Sequence, residues 1–251
     1  MIPFIPDVVP NIVQALVIVL VFCFAAGQVL RKHPLPFYIG AIVACVLGFL
    51  GPVQDNVISN TIVNILASCY TGVAMYLVVM FAGALPKKWA ATKKLLSIRS
   101  ELSILAGIII VAHVLKVIFF VPMSFTAYWL LIWKSAAPIM WVASTLVGVP
   151  LLVCFLVPWI MSFPKVRAGM EFKKWKKWQR LAYPFMALLV IQGILLSVGH
   201  AVYVGPTEAR YVGYMVNGVT YAIIGIVYLV LKIAQAVGKK RKQAARVEAQ
   251  E

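Results

Sequence analysis

Seven apolar stretches, each close to the length of a membrane crossing, dictate what this chain can fold into. They cover residues 10–30, 36–53, 61–85, 102–121, 138–161, 181–203 and 211–231. A hydrocarbon core ~30 Å thick takes about 20 apolar residues in a helix. No water is present there to satisfy backbone groups, so segments of this kind must bond internally as helices. The second stretch is the shortest and is interrupted by Gly48, Gly51 and Pro52. A further aromatic patch, 125–133, is too short to cross and reads as an interfacial segment on the outer face.

The charges between the stretches set an orientation. The first connection carries Arg31 and Lys32, and the third carries Lys87, Lys88, Lys93, Lys94 and Arg99. The fifth carries Lys165, Arg167, Lys173, Lys174, Lys176, Lys177 and Arg180, and the tail carries Lys239, Lys240, Arg241, Lys242 and Arg246. The alternate connections are poor in cations: none before Pro10, none in 54–60, Lys134 alone in the fourth, Arg210 alone in the sixth. Basic loops stay in the cytoplasm. The expected fold is therefore an all-α integral membrane bundle of about seven transmembrane helices, N-terminus outside and C-terminus cytoplasmic. Six or eight helices would break the alternation.

Composition enters for what it excludes. Only 12% of the residues are charged and 63% are hydrophobic, against ~25% charged in soluble domains. A net charge of +16 would otherwise suggest nucleic acid. Here the cations sit in short clusters beside apolar runs, which fits anionic lipid and not nucleic acid. Cys23, Cys45, Cys69 and Cys154 are each isolated within an apolar segment, so no thiolate metal cluster is expected. The first residues have no positive charge and no small-residue cleavage site follows, so a removable signal peptide is not expected. No glycine-rich nucleotide motif occurs, so any flavin, nicotinamide or ATP chemistry is expected on another polypeptide.

No extramembrane segment is long enough for a folded unit, so 1–251 reads as a single transmembrane domain with a basic tail over 232–251. The longest connection, 162–180, holds Trp175 and Trp178 three residues apart among lysines. That spacing places both indoles on one helical face, suited to a helix lying at the cytoplasmic headgroups or docking an acidic partner.

Polar residues at membrane depth are the candidates for function. His33 falls in a cytoplasmic turn and His200 near the outer end of the sixth stretch. His113 lies about 20 Å into the fourth, past the bilayer centre. Gln192 reaches about the same depth in the sixth, and Gln179 marks the inner end of that helix. Lys116, one turn beyond His113, comes near the outer interface and can snorkel there. Each also has a plain structural reading, as a side chain satisfied by a neighbouring helix.

Three stretches resemble the ferric reductase-like transmembrane domain family, most of all the haem-binding membrane subunit of the bacterial periplasmic methionine sulfoxide reductase system. Arg99-Ser-Glu-Leu-Ser-Ile with His113 fourteen residues after Arg99 looks like that family's Arg-Arg-x-Leu-Gly-Leu helix start and ligand histidine. Met161-Ser162-Phe163 stands where the family has Thr-Ser before a basic loop. Trp175-Lys-Lys-Trp178-Gln179-Arg180-Leu181-Ala182-Tyr183 is similar to its Trp-x-x-Leu-His-x-Leu-x-Tyr helix entry. The likeness implies a core over about 36–231, an extra helix over 10–30 and a bacterial cytoplasmic membrane.

It also implies haem b bound through His113, at most one, with Lys116 near a propionate. The chain departs from the pattern at Gln179 and Gln192, which replace two ligand histidines. A glutamine amide is a weak ligand for haem iron, and Met75 is the alternative donor. Three functions stay open: an electron-transfer subunit serving a redox partner or quinone; a haem-free anchor, assembly or quinone-site scaffold; and a small-molecule transporter or sensor.

Overall fold

Apolar runs with no outside partner for their backbone groups become helices, and the structure, a computed structural model, holds helices and no strand among the residues it describes, 9–50, 57–134 and 138–248. In order they are α1 (Asn11–Ala25), α2 (Gly27–Lys32), α3 (Pro34–Leu50), α4 (Val57–Leu66), α5 (Cys69–Ala82) and α6 (Ala90–Ser97). There follow α7 (Arg99–Lys134), α8 (Pro138–Ile160), α9 (Pro164–Ala168), α10 (Phe172–Gln179), α11 (Ala182–Val204) and α12 (Arg210–Glu248). Residues 1–8 of the expected external segment and residues 54–56 of the 54–60 connection lie outside the described residues, and 57–60 begin α4 instead of lying in a connection.

Four helices among the described residues are long and apolar enough to cross a membrane: Arg99–Phe119, Val142–Ile160, Phe172–Val204 and Arg210–Ala245. Asn11–Ala25, Pro34–Phe49 and Cys69–Ala82 are apolar but shorter. The chain is therefore an all-α protein with membrane-length helices.

Several boundaries differ from the apolar pattern. The 61–85 stretch is broken between α4 and α5. There the Ser68 side chain accepts from the Tyr70 backbone N–H at 3.2 Å, and Thr71 Oγ1 donates to the Ile65 carbonyl at 2.6 Å. Hydroxyl side chains compete with the helix ladder for backbone partners, and a count of apolar residues does not register that. The 10–30 stretch is interrupted at Ala26. Lys94 Nζ donates to the Phe24 carbonyl at 2.7 Å, just ahead of that interruption. The 125–133 patch is not a separate segment but the end of α7. Residues 123–134 contain neither glycine nor proline, and a nucleated helix extends by one hydrogen bond per residue. Most of the basic tail likewise continues α12 to Glu248: it holds no proline, and its one glycine, Gly238, does not stop the helix.

The helices form two groups. In the first, α5 packs on α7 and α1, and α3 packs on α7 and α4; in the second, α11 lies between α8 and α12. The innermost helix is α5, buried from Thr71 to Met80. Its aromatic side chains join the groups: Tyr76 meets Phe155 of α8 and Phe185 of α11, each at 5.4 Å between ring centroids, and Phe81 meets Tyr228 of α12 at 5.6 Å. Lipid tails are as apolar as the side chains, so close packing, not water exclusion, holds such helices together. Two glycines permit the closest approaches. The Trp159 indole occupies the space a Cβ on Gly107 would take, and the Tyr221 ring does the same at Gly193.

Candidate functional site

Helix ends explain where the polar side chains go. The last four carbonyls of a helix have no partner within it. In this bundle lysine and glutamine side chains from neighbouring elements reach several of them.

Gln179 is the clearest case. Helix α8 carries Pro158 in its last turn, and the Pro158 carbonyl accepts from Gln179 Nε2 at 3.2 Å and from Ser162 Oγ at 2.8 Å. The same helix end takes Trp175 Nε1 on the Met161 carbonyl at 3.0 Å and Ser100 Oγ on the Ser162 carbonyl at 3.0 Å. Ser103 Oγ lies 3.2 Å from Ser162 Oγ, tying α7 to the same place. Thus the α10 segment is fastened to α8 by side chains. Trp175 turns inward, with the Arg167 guanidinium 4.9 Å over its ring, whereas Trp178 and Phe172 are exposed. The two indoles do not share one environment.

Lys116 serves the end of α3 in the same way, its Nζ donating to the Gly48 carbonyl at 3.2 Å. His113, one turn earlier on α7, is exposed on the bundle surface. Gln192 donates from Nε2 to Ser144 Oγ of α8 at 2.9 Å, and its Oε1 is buried without a partner. Met75 is packed inside α5. The structure therefore brings Gln192 to α8, Lys116 to α3 and Gln179 to the end of α8, and leaves His113 outside. These side chains do not converge on one another.

That placement bears on haem. An axial pair needs two strong donors facing one space. Here each glutamine could offer only a weak amide oxygen, their amide groups are held by protein acceptors at the end of α8 and at Ser144, and the imidazole of His113 is exposed at the bundle surface. The residues present do not fit a haem held between α7 and α11. Among the described residues, no three His, Cys, Asp or Glu side chains group closely enough to hold a metal ion.

Uncharged polar side chains at membrane depth prove more connected. Asn217 of α12 donates from Nδ2 to Ser197 Oγ at 2.7 Å, and Ser197 in turn donates to the Gly193 carbonyl at 2.7 Å. His200 stacks on Tyr214 at 5.1 Å. Asn217 stands among apolar neighbours seven residues into α12, a signal visible once amides are counted with charges.

A second group gathers where α5 ends, between the starts of α7 and α11 and the middle of α12. The Gly83 carbonyl accepts from Lys232 Nζ and from Gln235 Nε2, each at 3.2 Å. Lys232 Nζ lies 5.2 Å from the Tyr183 ring centroid and 5.6 Å from that of Tyr228. Arg99 Nη1 is 4.0 Å from where a Cβ on Gly83 would stand. Lys232 fell just beyond the seventh apolar stretch, and only folding brings it beside Arg99.

Comparison with known proteins adds one relative. The chain is 26% identical over 239 residues to an uncharacterized protein of Treponema pallidum (strain Nichols), a match covering 92% of this chain and 62% of that protein. The chain thus spans less than two thirds of the relative's length. No family model matches the chain, and no solved structure matches it.

Proposed function

We propose that this chain is a multi-pass subunit of a bacterial cytoplasmic membrane that works without haem, as an anchor or assembly scaffold for a partner protein. In this reading seven helical segments cross the bilayer, with the N-terminus outside and the C-terminus in the cytoplasm. Its support is the four membrane-length helices, the three shorter apolar ones packed with them, and the alternation of basic and cation-poor connections. The relative is bacterial, which supports only the bacterial part of this reading.

One observation carries the haem-free part: Gln179 and Gln192 are engaged by the Pro158 carbonyl and Ser144 Oγ, while His113 is exposed. The position of His113 also favours a partner. An imidazole facing hydrocarbon at that depth is costly, and a helix from another subunit laid against α7 would remove the cost.

The test is a visible spectrum of the full chain, purified in detergent from cells supplied with ample haem. No Soret band is expected. A stoichiometric Soret band that disappears in His113→Ala would reject the haem-free reading and restore the electron-transfer one.

A further inference from the structure

The group around Gly83 holds more cationic and donor capacity than the protein itself uses. Among the described residues Lys232 has one protein acceptor, the Gly83 carbonyl, at 3.2 Å. Arg99 is exposed beside the same glycine, and among the described residues its electrostatic neighbours are the hydroxyl-bearing Tyr228 and Tyr183, not a carboxylate. Lys239, two turns further along α12, adds a third positive charge near Lys232. Glu101, the acid nearest to Arg99 in sequence, acts on Tyr38 of α3 instead. Tyr228 is 7% exposed, and its hydroxyl is buried with no hydrogen-bond partner. Like charges gathered with no acid among the described residues repel one another, and an unpaired buried hydroxyl carries the cost of its lost hydration. An anion with several acceptor oxygens relieves both.

The position selects the anion. Arg99 opens the Arg99–Phe119 span, at the boundary between the bilayer core and the basic connection before it. Tyr183 forms an open rim at 54% exposure. A site at that level, between helices and open to the side, lies where phosphate headgroups are. A phosphate offers the oxygens that a planar guanidinium and an ammonium bind together.

We propose that Arg99, Lys232 and the Tyr228 hydroxyl form a binding site for one phosphate group, supplied by an anionic phospholipid headgroup or by soluble phosphate. The site goes beyond general attraction of lipid to basic loops, because it holds one phosphate at fixed donors. It depends on the membrane reading only for the lipid source.

The experiment uses the full chain in detergent with two probes. Native mass spectrometry follows retention of phosphatidylglycerol against phosphatidylcholine, and thermal unfolding follows added sodium phosphate against sodium chloride at equal ionic strength. Retention of one phosphatidylglycerol is expected, with phosphatidylcholine lost. Arg99→Gln and Tyr228→Phe should each weaken retention by about tenfold, the effect of losing one charge-assisted hydrogen bond. Lys88→Gln, outside the site, should not.

Tyr228→Phe separates binding from folding. It removes a hydroxyl without a protein partner, so the lipid-free protein should unfold at the same temperature or higher while binding falls. Stabilisation by sodium phosphate that Arg99→Gln abolishes, without selective lipid retention, upholds the site and assigns it a soluble phosphate. Equal retention by wild type, Arg99→Gln and Tyr228→Phe, together with no phosphate effect, overturns the proposal.

Discussion

Gln192 illustrates how a residue at a telling depth can have a local partner. Its position in the sequence invites comparison with a ligand, but Ser144 of α8 takes its amide hydrogen at 2.9 Å. Which helix faces α11 at that level depends on the packing of three helices, and residue spacing within α11 carries no information about it. The same scale governs Gly107. Because the Trp159 indole occupies the site of its missing Cβ, Gly107→Ala must displace a ring whose Nε1 donates to the Ile104 carbonyl at 3.3 Å. Overpacking of this kind costs about 1–3 kcal/mol. Gly107→Ala should therefore lower the unfolding temperature in detergent and shift tryptophan fluorescence, while Gly40→Ala, where a Cβ meets nothing within 4 Å, should leave both unchanged.

At the scale of elements, polar side chains punctuate helices that hydropathy draws as continuous. The break between α4 and α5 rests on Ser68 and on Thr71, which holds the Ile65 carbonyl at 2.6 Å. Thr71→Val keeps the shape of the side chain and leaves that carbonyl without its donor. A loss of about 1–2 kcal/mol follows from removing the donor from a half-buried carbonyl. Thr71→Ser should retain most of the stability, and equal unfolding temperatures for Val and Ser variants would show that the hydroxyl does not hold the break. Helix α10 is the other element with an identifiable attachment, through Trp175 and Gln179. Its exposed Lys173, Lys174, Lys176 and Lys177 do not make those bonds. Changing all four to glutamine should weaken flotation with anionic vesicles, each lysine being worth ~1 kcal/mol near a charged surface, without unfolding the bundle.

For the whole molecule, the arrangement of connections predicts topology. A green fluorescent protein fused after the C-terminus should fluoresce, and an alkaline phosphatase fused at the same point should be inactive. Active phosphatase there would reverse the proposed orientation. The two helix groups meet through α5, whose Tyr76 and Phe81 touch α8, α11 and α12. That central position for one of the shorter apolar helices was not legible in the chain, because α5 is no more apolar than α1, α3 or α8. Burial in a lipid-soluble bundle is not encoded by contrast between apolar and polar faces, since lipid and interior are equally apolar.

The sequence by itself determined the helical class, the presence of membrane-length segments and the places where cations collect, because each follows from local chemistry: backbone groups that must bond internally, the length needed to cross hydrocarbon, and the cost of a charge within it. Only the tertiary structure decided which helix is innermost, that Gln179 and Gln192 serve as helix-to-helix hydrogen bonds, that His113 faces outward, and that Arg99 and Lys232 meet at Gly83 across more than a hundred residues of chain. The reason is geometric. A side chain's partner depends on the rotation and depth of neighbouring helices, and helices set those by packing against one another at glycines and aromatic rings.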